Sequence, residues 1–220
     1  MGRMMNFFTP LHKRTSRDYI GRMTDSKVEC MKVARKYGHE FWDGDRRFGY
    51  GGYGYDGRWE PVAQNIIKKY GLTSTSSILD IGCGKAFLLY ELKKLLPDAR
   101  ICGFDISEYA IANAKEEIKD SLFVFNAVSP LPFGNNEFDL AISLGTFHNL
   151  HIHELAVALP EMERVAKQGF LMLESYRNEQ ELFNLQCWAL TCASFHTPQD
   201  WIWLYERFGY TGDYEFIYFE

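Results

Sequence analysis

Two carboxylates and a pair of glycines are the residues of this sequence whose types and spacing most clearly suggest chemistry. Asp80, Gly82 and Gly84 stand in the run Asp-Ile-Gly-Cys-Gly, and Asp105 follows further along the chain. Glycine lets the backbone turn tightly and approach a ligand where a Cβ would obstruct it. An acid beside such a turn attracts a cationic ligand and repels a phosphate. The spacing therefore predicts a small-molecule site with an acid at the turn and a second acid nearby.

A strand, a helix and a second strand are the elements that must position these residues. Residues 78–81 form a short apolar run bounded by turn residues, which is typical of a buried parallel strand. Helical spacing of apolar residues follows from 85 until Pro97 ends it. Residues 101–104 form a second short strand with Asp105 at its carboxyl end. Strand, glycine turn, helix, strand and acid make the nucleoside-binding half of a doubly wound sheet, whose ligand lies at the strands' carboxyl ends.

The residue at position 87 distinguishes between two classes of nucleoside. A dinucleotide fingerprint requires a third glycine there, and the residue is Phe87. The run from Asp80 to Gly84 instead resembles the first motif of class I S-adenosylmethionine-dependent methyltransferases, and Asp105 resembles their ribose-binding acid. The charges agree, since S-adenosylmethionine carries a sulfonium and an ammonium but no phosphate. The family often has a glycine where this chain has Ala86, which predicts a slightly wider turn.

The resemblance covers about residues 76–175 and implies further contacts with the cofactor, S-adenosyl-L-methionine. Residues 130–143 resemble the stretch between the family's third and fourth strands. Just before it, where members often place Asp-Ala against the adenine amino group, this chain has Asn126-Ala127-Val128. An asparagine carbonyl can also accept a hydrogen bond from that group. The residues expected to bind the cofactor are Asp80, Gly82, Cys83, Gly84, Asp105, Ile106, Asn126, Ala127, Val128 and Leu144.

The whole pattern predicts an α/β fold with a doubly wound, mostly parallel seven-stranded sheet, helices on both faces (Rossmann-like) and an N-terminal helical cap. Later strands are expected at 122–125, 139–144, 169–174 and 214–219, and later helices at 108–119, 154–165 and 197–208. Residues 185–195 alternate weakly and predict an antiparallel strand, although 185–188 fit a helix as well. The chain would be one domain, with an arm, cap and lid over 1–71 and the methyltransferase core over 72–220.

Composition limits the partners and the compartment. The chain has 220 residues, a net charge of -5 and a pI near 5.7. Nucleic-acid binding normally leaves a basic footprint, so it is not expected. No apolar run approaches a membrane span, and the N-terminus lacks the core of a signal peptide. Five cysteines without Cys-x-x-Cys spacing are typical of reduced thiols, so we expect a cytoplasmic protein. A small molecule is the expected partner, and a homodimer is left open.

The segment before the first strand predicts a cover for the site. Residues 1–24 are weakly patterned and are expected to form a poorly anchored arm. Ser26 and Glu29 fit a capping box for a helix over 27–37. Residues 40–59 hold six glycines and seven aromatic residues, which suits a lid that closes over a ligand; an ordinary surface loop is the alternative. The expected substrate contacts are Tyr53, Tyr55 and Arg58. A helix follows at 59–70, ended by Gly71.

His148 is the first candidate for a catalytic base, because it follows a strand end that should face the methyl donor. Tyr176, just past the fifth strand, is the second candidate, and a purely structural role is the alternative for both. With His151 and His153, His148 forms a spacing that matches no common zinc helix, so no metal is expected.

The resemblance implies transfer of the donor methyl to an oxygen or nitrogen of a small molecule, and aromatic side chains favour a sugar or sugar derivative. Two alternatives remain. One is methylation of a protein or peptide side chain, and the other is a non-catalytic module that binds S-adenosylmethionine.

Overall fold

A six-stranded parallel sheet forms the centre of the chain, described for residues 2–51 and 53–220 in a computed structural model. Its strands are β1 (Ser77–Ile81), β2 (Arg100–Asp105), β3 (Leu122–Val124), β4 (Leu140–Leu144), β5 (Gly169–Glu174) and β6 (Asp213–Ile217). They lie in the order β3-β2-β1-β4-β5-β6, and each described pair is parallel. The order reverses between β1 and β4, which opens a crevice at their carboxyl ends.

Ten α-helices of the described residues lie around the sheet. They are α1 (Thr9–His12), α2 (Tyr19–Thr24), α3 (Lys27–Ala34), α4 (His39–Trp42), α5 (Glu60–Tyr70), α6 (Phe87–Leu95), α7 (Glu108–Ala112), α8 (Ile152–Val165), α9 (Glu179–Trp188) and α10 (Pro198–Phe208). Short 3₁₀ turns lie at Arg46–Phe48, Glu116–Ser121 and Phe147–Asn149. Within the described ranges, no helix is both long enough and apolar enough to cross a bilayer.

The core divides between the two faces of the sheet because successive strand residues point in opposite directions. Leu79 belongs to a cluster that α8 and α10 cover, whereas Ile78 belongs to a cluster covered by α5 and α6. Both side chains are fully buried. The predicted doubly wound, Rossmann-like α/β fold is thereby confirmed.

The prediction of a seventh, antiparallel strand at 185–195 is wrong. Residues 185–188 end α9, whose first turn is capped by the Asn178 side chain accepting from the Glu181 N–H at 2.9 Å. Leu185 and Trp188 are both buried, so the apolar residues there follow one face of a helix and not one face of a strand. Strand β6 pairs directly with β5, and the sheet therefore stays parallel throughout.

The prediction of a poorly anchored N-terminal arm is also wrong, because the arm covers the exposed edge of β6. Met4 bridges Tyr214, and the Met5 N–H donates to the Tyr214 carbonyl at 2.7 Å. Glu215, which is only 1% exposed, accepts from the Phe7 N–H at 2.8 Å and from the Thr9 N–H at 2.6 Å. An edge strand and a buried carboxylate both need hydrogen-bond donors, and the arm provides them.

Two helix predictions need correction. Helix α3 ends at Ala34, and Ser26 makes no side-chain cap because its φ of 44° turns the backbone into the left-handed region. The helix predicted at 108–119 breaks after Ala112 into a 3₁₀ turn, Glu116–Ser121. The Ser107 side chain caps its start by accepting from the Ala110 N–H at 3.0 Å.

Candidate active site

A cavity of about 530 Å³ lies at the carboxyl ends of the strands, beneath the N-terminal cap. All ten residues that the sequence predicted for cofactor binding line it: Asp80, Gly82, Cys83, Gly84, Asp105, Ile106, Asn126, Ala127, Val128 and Leu144. The donor end is the part built by the turn after β1 and by the ends of β2 and β3. The acceptor end is the part built by the ends of β4, β5 and β6 together with the arm and α9.

The turn after β1 requires its glycines for two different reasons. Gly82 and Gly84 have φ of 74° and 55°, in the left-handed region. A Cβ on Gly82 would lie 2.2 Å from the Thr146 hydroxyl, and one on Gly84 would lie 2.7 Å from the Trp42 indole. Ala86, where the family often has glycine, adopts the left-handed conformation as well, with φ of 56°.

Asp105 is held rigidly by backbone donors at the end of β2. Its Oδ2 accepts from the Gly84 N–H and its Oδ1 from the Ser107 N–H, each at 2.8 Å. Burial raises its pKa, although these two donors act in the opposite direction. Each carboxylate oxygen can accept about two hydrogen bonds, so both oxygens retain a lone pair. Asp105 can therefore accept from a pair of adjacent hydroxyls.

Asp80 adds a second buried acid to the donor end. Burial raises its pKa to about 8, and the negative charge of Asp105 contributes to the shift. A cationic group beside Asp80 would favour the carboxylate form, whereas a phosphate would oppose it. The two acids together fit a nucleoside that carries positive charge and exposes two ribose hydroxyls.

The cap is fastened to the donor end by polar contacts from α4 and the residue after it. The Trp42 indole N–H donates to the Ser107 hydroxyl at 2.8 Å. Lys85, which is 8% exposed, pairs with Asp43 at 2.5 Å, and the Tyr109 hydroxyl donates to the same carboxylate at 2.8 Å. The cap thus closes the cavity above the glycine turn.

Residues 40–59, which we call the glycine–tyrosine stretch, contain the three predicted substrate contacts, and these separate into two groups. Tyr53 and Arg58 line the cavity, and the Tyr53 ring lies 4.6 Å from the Trp42 ring. Tyr55 does not line it, because its hydroxyl donates to Glu91 at 2.6 Å and its ring packs on Phe87 and Tyr90. The structure therefore does not bring Tyr55 to the cavity wall, and its role as a substrate contact stays a prediction.

Tyr50, which the sequence did not assign to the site, also walls the cavity. Its ring is partly buried, and its hydroxyl accepts from the Leu190 N–H at 2.8 Å. Tyr50 and Tyr53 wall the cavity, whereas the motion of the stretch as a lid stays a prediction.

His148 lies at the acceptor end against an acid that the sequence analysis missed. Its Nε2 is 3.6 Å from Oε2 of Glu174, the last residue of β5, and both side chains are buried. Burial lowers the pKa of His148, and the Glu174 charge opposes that shift. Glu174 could have been found from its position, since polar residues at the ends of parallel strands face the ligand.

Tyr176, the second candidate base, lies away from the cavity. It packs against the cluster of α9 that contains Leu185 and Trp188, and it is absent from the cavity wall. Among residues 2–51 and 53–220, no group of three or more His, Cys, Asp or Glu side chains has the arrangement of a metal site.

Four buried polar atoms at the acceptor end have no hydrogen-bond partner among the described residues. They are Nε of Arg17, Nδ1 of His148, Oδ1 of Asn149 and Oε2 of Glu174. Buried polar groups are normally satisfied, and each unsatisfied group in a native structure needs an explanation. All four residues line the same cavity, which fits a ligand that bears several polar groups.

Comparison with known proteins gives a family. A family model described as a methyltransferase domain matches residues 72–209, more than half of the chain. The malonyl-[acyl-carrier protein] O-methyltransferase of Hahella chejuensis is 28% identical over 137 residues, which cover 60% of this chain and 48% of that protein. The chain spans about half the length of the first curated relatives that it matches, or less.

Two solved structures share the fold at low identity. One is the methyltransferase in the complex with the Trm112 methyltransferase activator of Haloferax volcanii, with a TM-score of 0.56 and 17% identity, covering 89% of this chain and 77% of that chain. The other is geranyl diphosphate methyltransferase in complex with S-adenosylmethionine, with a TM-score of 0.55 and 11% identity, covering 67% and 63%.

Proposed function

The chain belongs to the class I S-adenosylmethionine-dependent methyltransferase family, and from this membership we propose that it methylates an oxygen or nitrogen of a small polar molecule. The cofactor of the family is S-adenosylmethionine, which supplies a methyl group bonded to a sulfonium sulfur. We assign its ribose hydroxyls to Asp105, its adenine to Asn126–Val128 and its methionine part to Asp80 and the glycine turn. The free lone pairs of Asp105 and the shifted pKa of Asp80 support this assignment.

The observation that carries the proposal for the acceptor is the set of four unpartnered polar atoms at the acceptor end. A small polar acceptor can satisfy them, and it can fit beneath the wall that Tyr50 and Tyr53 close. A protein side chain would need an open groove in that place. Because rings of Trp42, Tyr53 and Trp188 also line the cavity, a sugar or sugar derivative is the class that we favour.

We assign the role of general base to His148. A hydroxyl of the acceptor would form a C–O bond to the methyl carbon as the C–S bond breaks, with the electron pair left on sulfur. The hydroxyl proton would pass to the imidazole, which burial keeps neutral and therefore able to accept it at neutral pH. Glu174 would stabilise the resulting imidazolium, since its carboxylate lies 3.6 Å from Nε2.

A purely structural role for His148 fits its surroundings less well. A histidine that serves only packing normally has its ring nitrogens hydrogen-bonded when it is buried. The Nδ1 atom of His148 has no partner among the described residues, and the ring faces the cavity that the donor turn also lines.

The test is release of S-adenosylhomocysteine from S-adenosylmethionine in the presence of fractionated small metabolites. The full chain should turn over with at least one low-molecular-weight fraction. His148→Gln should lower kcat by about 100-fold or more, since general-base catalysis contributes that much. Its affinity for S-adenosylhomocysteine should stay within about twofold of the wild-type value.

His153→Gln is the matched control, because it makes the same change at an exposed histidine in the same segment. It should keep wild-type turnover. Methylation of polypeptide alone, with no active small-molecule fraction, would contradict the proposed acceptor class. Equal turnover of His148→Gln and His153→Gln would contradict the assignment of the base.

A further inference from the structure

Arg17 carries a positive charge at the acceptor end of the cavity, and its hydrogen-bond partners are neutral. It lies between α1 and α2 in the arm and lines the cavity. Its Nη1 donates to the Thr15 carbonyl at 3.0 Å, and its Nη2 donates to Nδ1 of His12 at 3.0 Å and to the His12 carbonyl at 3.3 Å. Its Nε is buried without a partner among the described residues.

The imidazole of His12, which contacts Arg17, is neutral at pH 7. Burial and the nearby Arg17 charge lower the pKa of His12 to about 4. Its Nε2 lies 3.0 Å from the Tyr218 carbonyl, which can only accept, so Nε2 carries the proton and Nδ1 accepts from Arg17. His12 therefore fixes the direction of the guanidinium without neutralising its charge.

Arg17 and two more arginines surround the indole ring of Trp188. Arg17, Arg22 and Arg46 lie 5.6, 4.6 and 5.3 Å from the centre of the Trp188 ring. Arg22 and Arg46 donate to backbone carbonyls, and none of the three pairs with a carboxylate within 4.0 Å in the described part of the chain. Clustered cations at a partly buried site are costly unless an anion joins them. Glu174 lines the same cavity and its charge favours the charged form of Arg17, but the two side chains form no ion pair within 4.0 Å.

The position of Arg17 separates it from the carboxylate of the methyl donor. Its guanidinium lies 5.1 Å from the centre of the Phe219 ring, just beyond the end of β6. The donor turn follows β1, and β1 and β6 are three strand positions apart, which is about 14 Å at the usual spacing. An anion bound at Arg17 therefore belongs to the acceptor.

We propose that the acceptor carries a carboxylate and that Arg17 binds it through Nε and through the N–H of its planar fork that Thr15 and His12 leave free. This inference rests on the proposed function and adds the chemical class of its substrate. The guanidinium matches the two oxygens of a carboxylate, which explains why Nε is left without a protein partner. A singly charged group suits a chamber that also contains Glu174, whereas a phosphate dianion would be repelled more strongly by that acid.

The test uses three small probes that each carry a methyl group: acetate, neutral acetamide and methyl phosphate. Their binding to the full chain saturated with S-adenosylhomocysteine is followed by broadening of the methyl signal in ligand-observed NMR, at constant ionic strength. We expect saturable acetate binding, at least tenfold weaker binding of acetamide, and no preference for methyl phosphate over acetate.

Arg17→Met should weaken acetate binding at least tenfold, and Arg17→Lys, which keeps the charge but loses the fork, should show an intermediate loss. Arg14→Met is the matched control, since Arg14 lies in the same arm but is exposed, and it should bind acetate like the wild type. Calorimetry should give the same affinity for S-adenosylhomocysteine in all four proteins. Should Arg17→Met misfold, the comparison rests on Arg17→Lys and Arg14→Met.

Three results would overturn the inference: equal binding of acetate and acetamide, equal acetate binding by the wild type and the Arg17 variants, or tighter binding of methyl phosphate. A loss of S-adenosylhomocysteine affinity in Arg17→Lys would show that Arg17 holds the donor carboxylate instead, and it would also contradict the inference. Absence of S-adenosylhomocysteine binding by the wild type would contradict the proposed function and not this inference alone.

Discussion

Asp80 and Asp105 show how a carboxylate pair can select a nucleoside by charge. Both are buried at the donor end, and burial raises the pKa of each. Two backbone N–H donors oppose the shift of Asp105, whereas the charge of Asp105 adds to the shift of Asp80, whose pKa is raised to about 8. A ligand with cationic groups relieves this unfavourable burial by favouring the charged form of Asp80. The pair therefore links recognition of the donor to the ionisation of one side chain.

Binding of S-adenosylmethionine should accordingly release a proton at pH 7. In the free protein Asp80 is largely protonated below its pKa of about 8, and the donor's cationic groups lower that pKa. Affinity should thus increase as the pH rises from 6 toward 8 and level off above it. Calorimetry at pH 7 in two buffers with different ionisation enthalpies measures the proton directly. Asp80→Asn should release none, and proton release that is unchanged in this variant would contradict the role of Asp80.

Some of these residues could be predicted from the sequence because local backbone geometry places them. Asp80 and Asp105 each stand at a strand end recognisable from a short apolar run, and the glycines of the turn follow directly. Arg17 could not be predicted, because its position depends on contacts with Phe219 and Trp188, which are distant in sequence. Glu174 was overlooked even though it ends a correctly predicted strand.

The glycine–tyrosine stretch forms part of the cavity wall, but only some of its side chains face the cavity. Tyr53 faces the cavity and packs against Phe41 and Trp42 of α4. Tyr55, two residues later, faces α6 through Glu91 and Tyr90. The two tyrosines therefore provide a matched pair for testing whether the stretch acts as a lid.

Tyr53→Ala should lower turnover at least tenfold while changing the affinity for S-adenosylhomocysteine by less than about threefold, because the adenosine half is assigned to the strand ends. Tyr55→Ala should retain wild-type turnover per folded molecule. Hydrogen exchange should also slow over residues 49–56 when S-adenosylhomocysteine is bound, because ordering glycine-rich backbone is costly without a ligand. Equal exchange with and without ligand, together with normal turnover of Tyr53→Ala, would identify an ordinary surface loop.

Periodicity predicted the central elements well and the peripheral ones less well. Strands β1, β2, β4 and β5 read as apolar runs because they are buried on both faces. The sequence at 185–188 fits a strand or a helix, because Leu, Trp and Cys are compatible with both, and only its packing in the α9 cluster decides for a helix. Helix α7 ends early at Ala112, where the sequence contains no glycine or proline to announce a stop.

At the scale of the whole molecule, the arm and cap complete a site that the sheet alone leaves open. The sheet presents the donor end through β1 and β2, as its strand order requires. The arm reaches the opposite edge of the sheet, where Glu215 anchors it and Arg17 enters the cavity. The sequence of the core predicts the fold, whereas the pairing of the arm with β6 joins the two ends of the chain and has no local signature.

Calorimetric titration of the full chain with S-adenosylhomocysteine, S-adenosylmethionine and NAD tests directly which nucleoside the donor end binds. We expect binding of the first two and none of NAD, because two buried acids beside the turn disfavour a pyrophosphate. Asp105→Ala should stay folded and bind S-adenosylhomocysteine at least tenfold more weakly, about 1.4 kcal/mol. Tight NAD binding without a response to either S-adenosyl compound, or unchanged affinity in folded Asp105→Ala, would contradict the assignment of the donor end to S-adenosylmethionine.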